Sequence, residues 1–100
     1  MKVTRPFVER QLENLNRLAG TPMFPYLDKH DGNGIVSQPG NYHLDNAYGG
    51  YKLCRMCGTD GGTTDVGNMG YRSLAVVSNH IRMFSEGYNA ALEAMHRANS

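Results

Sequence analysis

From Ser73 onward the apolar side chains fall at Leu74, Val77, Ile81, Phe84, Tyr88, Ala91 and Met95, at alternating intervals of three and four. That spacing draws one seam along a helix of about six or seven turns, with Ser73 as its N-cap. Gly87 interrupts the seam at some cost in helix propensity. So long an apolar edge exceeds what a small sheet must cover, and it constrains the rest of the chain. Either another helix of the same chain takes the remainder, or part of the seam packs on a second copy as a homodimer.

A second helical pattern stands near the N-terminus. Thr4 precedes Val8, Leu12, Leu15 and Ala19, spaced four, three and four, and Leu18 widens the stripe. Pro6 is tolerated in the first turn, and Gly20 followed by Pro22 ends the helix. The pattern assigns Glu9, Arg10, Glu13, Asn14, Asn16 and Arg17 to the opposite, polar side.

Between the two helices the period changes. Thr21 to Gly40 is rich in proline and glycine and reads as a connector, with short extended pieces at Met23 to Tyr26 and Ile35 to Ser37. Asn41 to Asp45 then alternates, Tyr42 and Leu44 against His43 and Asp45. After the turn Ala47-Tyr48-Gly49-Gly50, the alternation resumes with Tyr51, Leu53, Arg55 and Cys57 against Lys52, Cys54 and Met56. Gly58 to Gly62 makes a second turn into a third strand over Thr63 to Val66. The expected fold is α+β: an N-terminal helix, a small three-stranded antiparallel sheet, and a long C-terminal helix packed on one sheet face, forming one domain over residues 1–100.

Composition removes several classes of function. Ten Lys and Arg against nine Asp and Glu give a net charge of +1, too weak a field to gather nucleic acid or anionic membrane non-specifically. The longest apolar stretches are a few residues, against roughly 20 for a bilayer span. Met1 to Arg10 carries no apolar segment of a secretory signal, so the expectation is a cytoplasmic protein whose two cysteines are free thiols.

Cys54-x-x-Cys57-Gly58 has the spacing of half a zinc knuckle. His43 is the nearest candidate for a third ligand, but neither it nor His30, His80 or His96 shows the paired spacing of a finger, so the reading is ordinary strand cysteines and no cofactor. Asp28 to Val36 echoes a calcium loop, yet with Gly34 at the turn position Lys29 stands where the first carboxylate belongs and Gly40 where the bidentate glutamate belongs. Gly49-Gly50 and Gly61-Gly62 follow no phosphate-binding spacing. Cys54 or Cys57 with His43 and Asp45 has the residue types for nucleophilic catalysis, but nothing marks an oxyanion hole, and the chain is read as a non-enzyme. Tyr42, Tyr48, Tyr51 and Tyr71 gather near Lys52, Arg55 and Arg72. Alternation commits Tyr42 and Tyr51 to the core, which leaves Tyr48 and Tyr71 as exposed anchors for a protein or for stacking on a base.

The run Asn41-Tyr42-His43-Leu44-Asp45, Ala47-Tyr48-Gly49-Gly50, Lys52-Leu53-x-Arg55 and Gly61-Gly62 with Asp65 resembles a type of small phage- or prophage-encoded accessory protein. Leu15-Asn16-x-Leu18-x-Gly20 before it and Phe84 with Gly87 after it extend the similarity over most of the chain. The resemblance implies a protein made in a bacterial cytoplasm that blocks a host enzyme or defence system, and it brings no catalytic residues. The expected function is therefore binding of a host protein by the open sheet face and hairpin tip, with Tyr48, Arg55, Tyr71, Arg72, His43 and Asp45 as binding residues. Its rivals are a nucleotide or nucleic-acid binder, in which Arg55 and Arg72 meet phosphate, and a small zinc-stabilised fold.

Overall fold

The computed structural model describes residues 2–28, 34–58 and 61–99. Helix α1 spans Arg5–Ala19; Thr4 caps it by accepting a hydrogen bond from Phe7 N–H, and Gly20 ends it in the left-handed region at φ 69°. Strands β1 (Tyr26–Asp28) and β2 (Ile35–Ser37) pair as an antiparallel ribbon. Strand β2 stands where an extended piece was expected, whereas β1 shares only Tyr26 with the piece expected at Met23 to Tyr26 and runs on into the polar stretch instead. The calcium-like run lies largely at residues 29–33, outside the described residues.

Strands β3 (Tyr42–Ala47), β4 (Gly50–Met56) and β5 (Thr63–Asp65) form a three-stranded antiparallel sheet in that order. A turn of 3-10 helix at Val66–Asn68 follows β5, after which Arg72 returns to pair with Tyr51 through two backbone hydrogen bonds of 2.7 and 2.8 Å. Helix α2, Leu74–Ala98, closes the chain; Ser73 caps it by accepting from Val76 N–H.

Both helices pack on the sheet face that carries Tyr42 and Leu53. Val8, Leu12 and Leu15 of α1 meet Val77 and Ile81 of α2 there, with Val3, Leu44, Tyr51, Val66, Leu74 and Phe84 around them. Burying side chains of this size contributes about 1.5–3 kcal/mol each, which makes this cluster the main source of stability. Gln11 and Ser78 tie the helices together reciprocally: the Gln11 amide donates to Ser78 C=O at 3.2 Å, and the Ser78 hydroxyl donates to Gln11 Oε1 at 2.8 Å.

Asn16 departs from the sequence reading, which placed it on the polar side of the first helix. It is 1% exposed. Its Nδ2 donates to Leu12 C=O at 3.0 Å and to Tyr42 C=O at 2.9 Å, while its Oδ1 accepts from Tyr42 N–H and from the Thr21 hydroxyl, each at 2.8 Å. The amide thus pairs with the edge of β3 and satisfies every atom it buries, which is the condition for a polar group in a core.

The seam of α2 is covered over half its length. Val77, Ser78 and Ile81 are buried, and Phe84 and Tyr88 are half-buried in an aromatic series in which Phe84 stands 5.5 Å from Tyr42 and 6.2 Å from Tyr88. Every residue from Asn89 to Asn99 is exposed, Met95 at 62%. The first helix therefore takes the inner half of the seam and leaves Ala91, Leu92 and Met95 bare. No helix among the described residues is long and apolar enough to cross a membrane.

Candidate protein-interaction surface

The hairpin turn brings together three of the expected binding residues, Tyr48, Tyr71 and Asp45, with Lys52, which was not among them. In the register of β3 and β4, Asp45 lies opposite Lys52 and His43 opposite Cys54, on the face away from the helices. The return of the chain at Arg72 sets Tyr71 over this pair. Its hydroxyl donates to Asp45 Oδ2 at 2.6 Å, and the Lys52 ammonium stands 4.5 Å from its ring centre. The hydrogen bond to the Asp45 carboxylate holds the Tyr71 proton, and with burial it pushes that phenol above its ordinary pKa. Tyr48, 95% exposed, meets Tyr71 edge-on at 5.5 Å.

The turn itself is strained in an informative way. Tyr48 and Gly49 both have positive φ, 53° and 73°. A two-residue hairpin turn with two such residues favours Asn or Asp followed by Gly, whereas a tyrosine in the first position costs roughly 1 kcal/mol. Gly50 is favoured for another reason. A Cβ there would lie 3.1 Å from Tyr71 Cβ and 3.2 Å from the backbone N and O of Arg72, a contact so tight that the segment carrying Tyr71 would have to give by a few tenths of an ångström.

The remaining expected site residues are placed elsewhere. Arg72 uses its Nε to donate to Met69 C=O at 3.1 Å. Arg55 is exposed on β4, five residues or about 17 Å from the turn, and its side chain alternates to the face opposite Lys52. Arg55 thus does not join the tyrosine pair. Lys52 was missed as a site residue, although its position directly opposite Asp45 was readable once the register was fixed.

Toward its other end this sheet face is not open. Cys54 is 1% exposed and Met56 is fully buried, which corrects the expectation of a continuous open face and confines the accessible surface to the turn end. Burial raises the Cys54 thiol to about 11, so at neutral pH it is a protonated thiol rather than a nucleophile. Burial lowers the pKa of His43, with the Asn41 backbone carbonyl and Asp45 opposing that shift. Cys57 lies beyond β4, exposed, with its Sγ 2.6 Å from Thr64 Oγ1. Among the described residues no three His, Cys, Asp or Glu side chains converge as a metal-binding group, so His43, Cys54 and Cys57 are not gathered into one.

Asp65 acts locally: its carboxylate accepts from Met69 N–H at 3.2 Å and from Gly70 N–H at 2.9 Å, fixing the loop that delivers Tyr71. Compared with protein families, curated proteins and solved structures, the chain matches none.

Proposed function

We propose that this chain is a small accessory protein of the phage type, acting in a bacterial cytoplasm by stoichiometric binding to a host protein, with the hairpin tip as its contact surface and no catalysis. The carrying observation is Tyr48: a large ring, 95% exposed, held at φ 53° where the turn favours a smaller polar residue. Strain retained at an exposed aromatic points to recognition, and the Tyr71, Lys52 and Asp45 contacts pre-order its neighbour for contact. Removal of either ring costs binding without touching the core.

The test separates binding from folding. Tyr48→Asn suits the turn and is expected to raise stability by roughly 1 kcal/mol, while a tagged variant loses the stoichiometric partner that the wild-type chain retains from bacterial lysate. A wild-type chain that recovers nothing above background, or a variant that recovers the same partner, refutes the proposal.

A nucleotide or nucleic-acid ligand is less well matched by these residues, because Asp45 places a carboxylate beside Tyr71 while Arg55 stands at the far end of β4. Phosphate contacts would weaken steeply with added salt, and an apolar protein contact would not. In the same reading a second copy seats on the outer half of α2, where Leu92 and Met95 lie bare.

A further inference from the structure

Among the described residues strand β3 has a strand partner on one side only, and its other edge opens into a groove of about 470 Å³. Binding clefts run from about 300 to 1,000 Å³. The register decides which backbone groups face the groove. Ala47 and Gly50 close the two-residue turn, so Ala47, Asp45 and His43 exchange hydrogen bonds with β4, and Tyr42, Leu44 and Asn46 turn their N–H and C=O outward. Asn16 shows the direction, since its side chain bonds both the N–H and the C=O of Tyr42 as a neighbouring strand would.

One rung further the closure stops. The outward N–H and C=O of Leu44 meet no partner among the described residues, and Asn46 N–H is taken by the carboxylate of Asp45 at 3.1 Å. Beside this open rung stand Phe24, 70% exposed, and Met23, 39% exposed, as an apolar wall. Two arginines, Arg5 and Arg17, and two glutamates, Glu9 and Glu13, line the same groove, so its charges balance. Such a groove complements a segment without net charge; a nucleic-acid strand would meet both glutamates.

We propose that the β3 edge takes an extended, uncharged peptide segment of a partner protein, added as a further strand across Leu44 with an apolar side chain against Phe24. This surface is separate from the hairpin tip, and Tyr48→Asn leaves it intact.

The probe is a panel of capped heptapeptides of alternating threonine and valine with Phe, Leu, Ile or Tyr at the centre, titrated into the 15N-labelled full chain. At least one is expected to shift the Leu44 amide and slow its hydrogen exchange. Its twin with N-methyl groups on the residues that face β3 is expected to bind about tenfold more weakly, the loss of the backbone pairing. Phe24→Ala, at a position that is mostly exposed, is expected to weaken binding by about tenfold as well. Leu44→Pro removes the outward donor while sparing the ladder to β4; Phe24→Ala decides the question if that variant does not fold. No shift at Leu44 at millimolar peptide with any centre overturns the proposal, as does equal binding of the N-methylated twins. Protection of Leu44 that grows with protein concentration in the absence of peptide also overturns it, because a second copy would then be the occupant.

Discussion

Replacing Asn16 by leucine tests the physical account of how the first helix is joined to the sheet. The substitution leaves Tyr42 N–H and C=O, now bonded at 2.8 and 2.9 Å, without partners in a buried site. An unsatisfied buried polar group costs about 1–3 kcal/mol, and the added apolar burial offsets part of two such losses, giving about 3 kcal/mol. Against a total stability of about 5–15 kcal/mol, and at about 4–8 °C per kcal/mol for a domain of this size, the midpoint should fall by about 12–24 °C. Circular dichroism during heating and urea titration measures it. Asn16→Asp sharpens the test, because its carboxylate would set oxygen against the carbonyls of Leu12 and Tyr42, and only the protonated acid can donate. Its folded pKa is therefore raised, so the variant should regain stability below the ordinary carboxylate pKa and lose it as pH rises through the raised value. A leucine variant within about 1 kcal/mol of wild type, or an aspartate variant indifferent to acid, would refute the reasoning.

Three further outcomes follow from named groups. His43 has a folded pKa below its ordinary 6.5, so its contribution is complete above that value and is lost as pH falls toward the folded one; urea midpoints at pH 7.5 and 5 should show this, and His43→Gln should reduce the difference. Iodoacetamide on the native protein at pH 8 should modify the exposed Cys57 and spare buried Cys54, with its thiol at about 11, giving a single adduct by mass; two adducts at equal rates would contradict the packing. If α2 seats a second copy, Met95→Glu should convert a dimer seen by sedimentation into a monomer without altering thermal stability per chain, since Met95 is exposed.

Both helices and the central hairpin were legible in the sequence because their signals are local. The three and four spacing of Leu74 to Met95, the caps at Thr4, Ser73 and Gly20, and the alternation about Tyr48 and Gly49 each arise from neighbours within a turn or two. The three-stranded order followed from the same turns. Of the ribbon, β2 was visible as an extended piece but β1 was placed at Met23 to Tyr26 instead of Tyr26–Asp28, since nothing local declares which strand pairs with which across a polar run.

What tertiary structure decided depends on groups far apart in the chain. Asn16 reads as a polar-face residue until Tyr42, 26 positions away, offers it a strand edge. Tyr71 becomes part of the hairpin tip only because Arg72 pairs with Tyr51, and Arg55 leaves the tip because alternation and strand length carry it away. Residue types and periods fix which elements form, because those are short-range choices of backbone geometry. Which polar atoms meet, which half of a helix seam stays bare and which strand edge stays open depend on the three-dimensional closure of the chain, which local spacing does not encode.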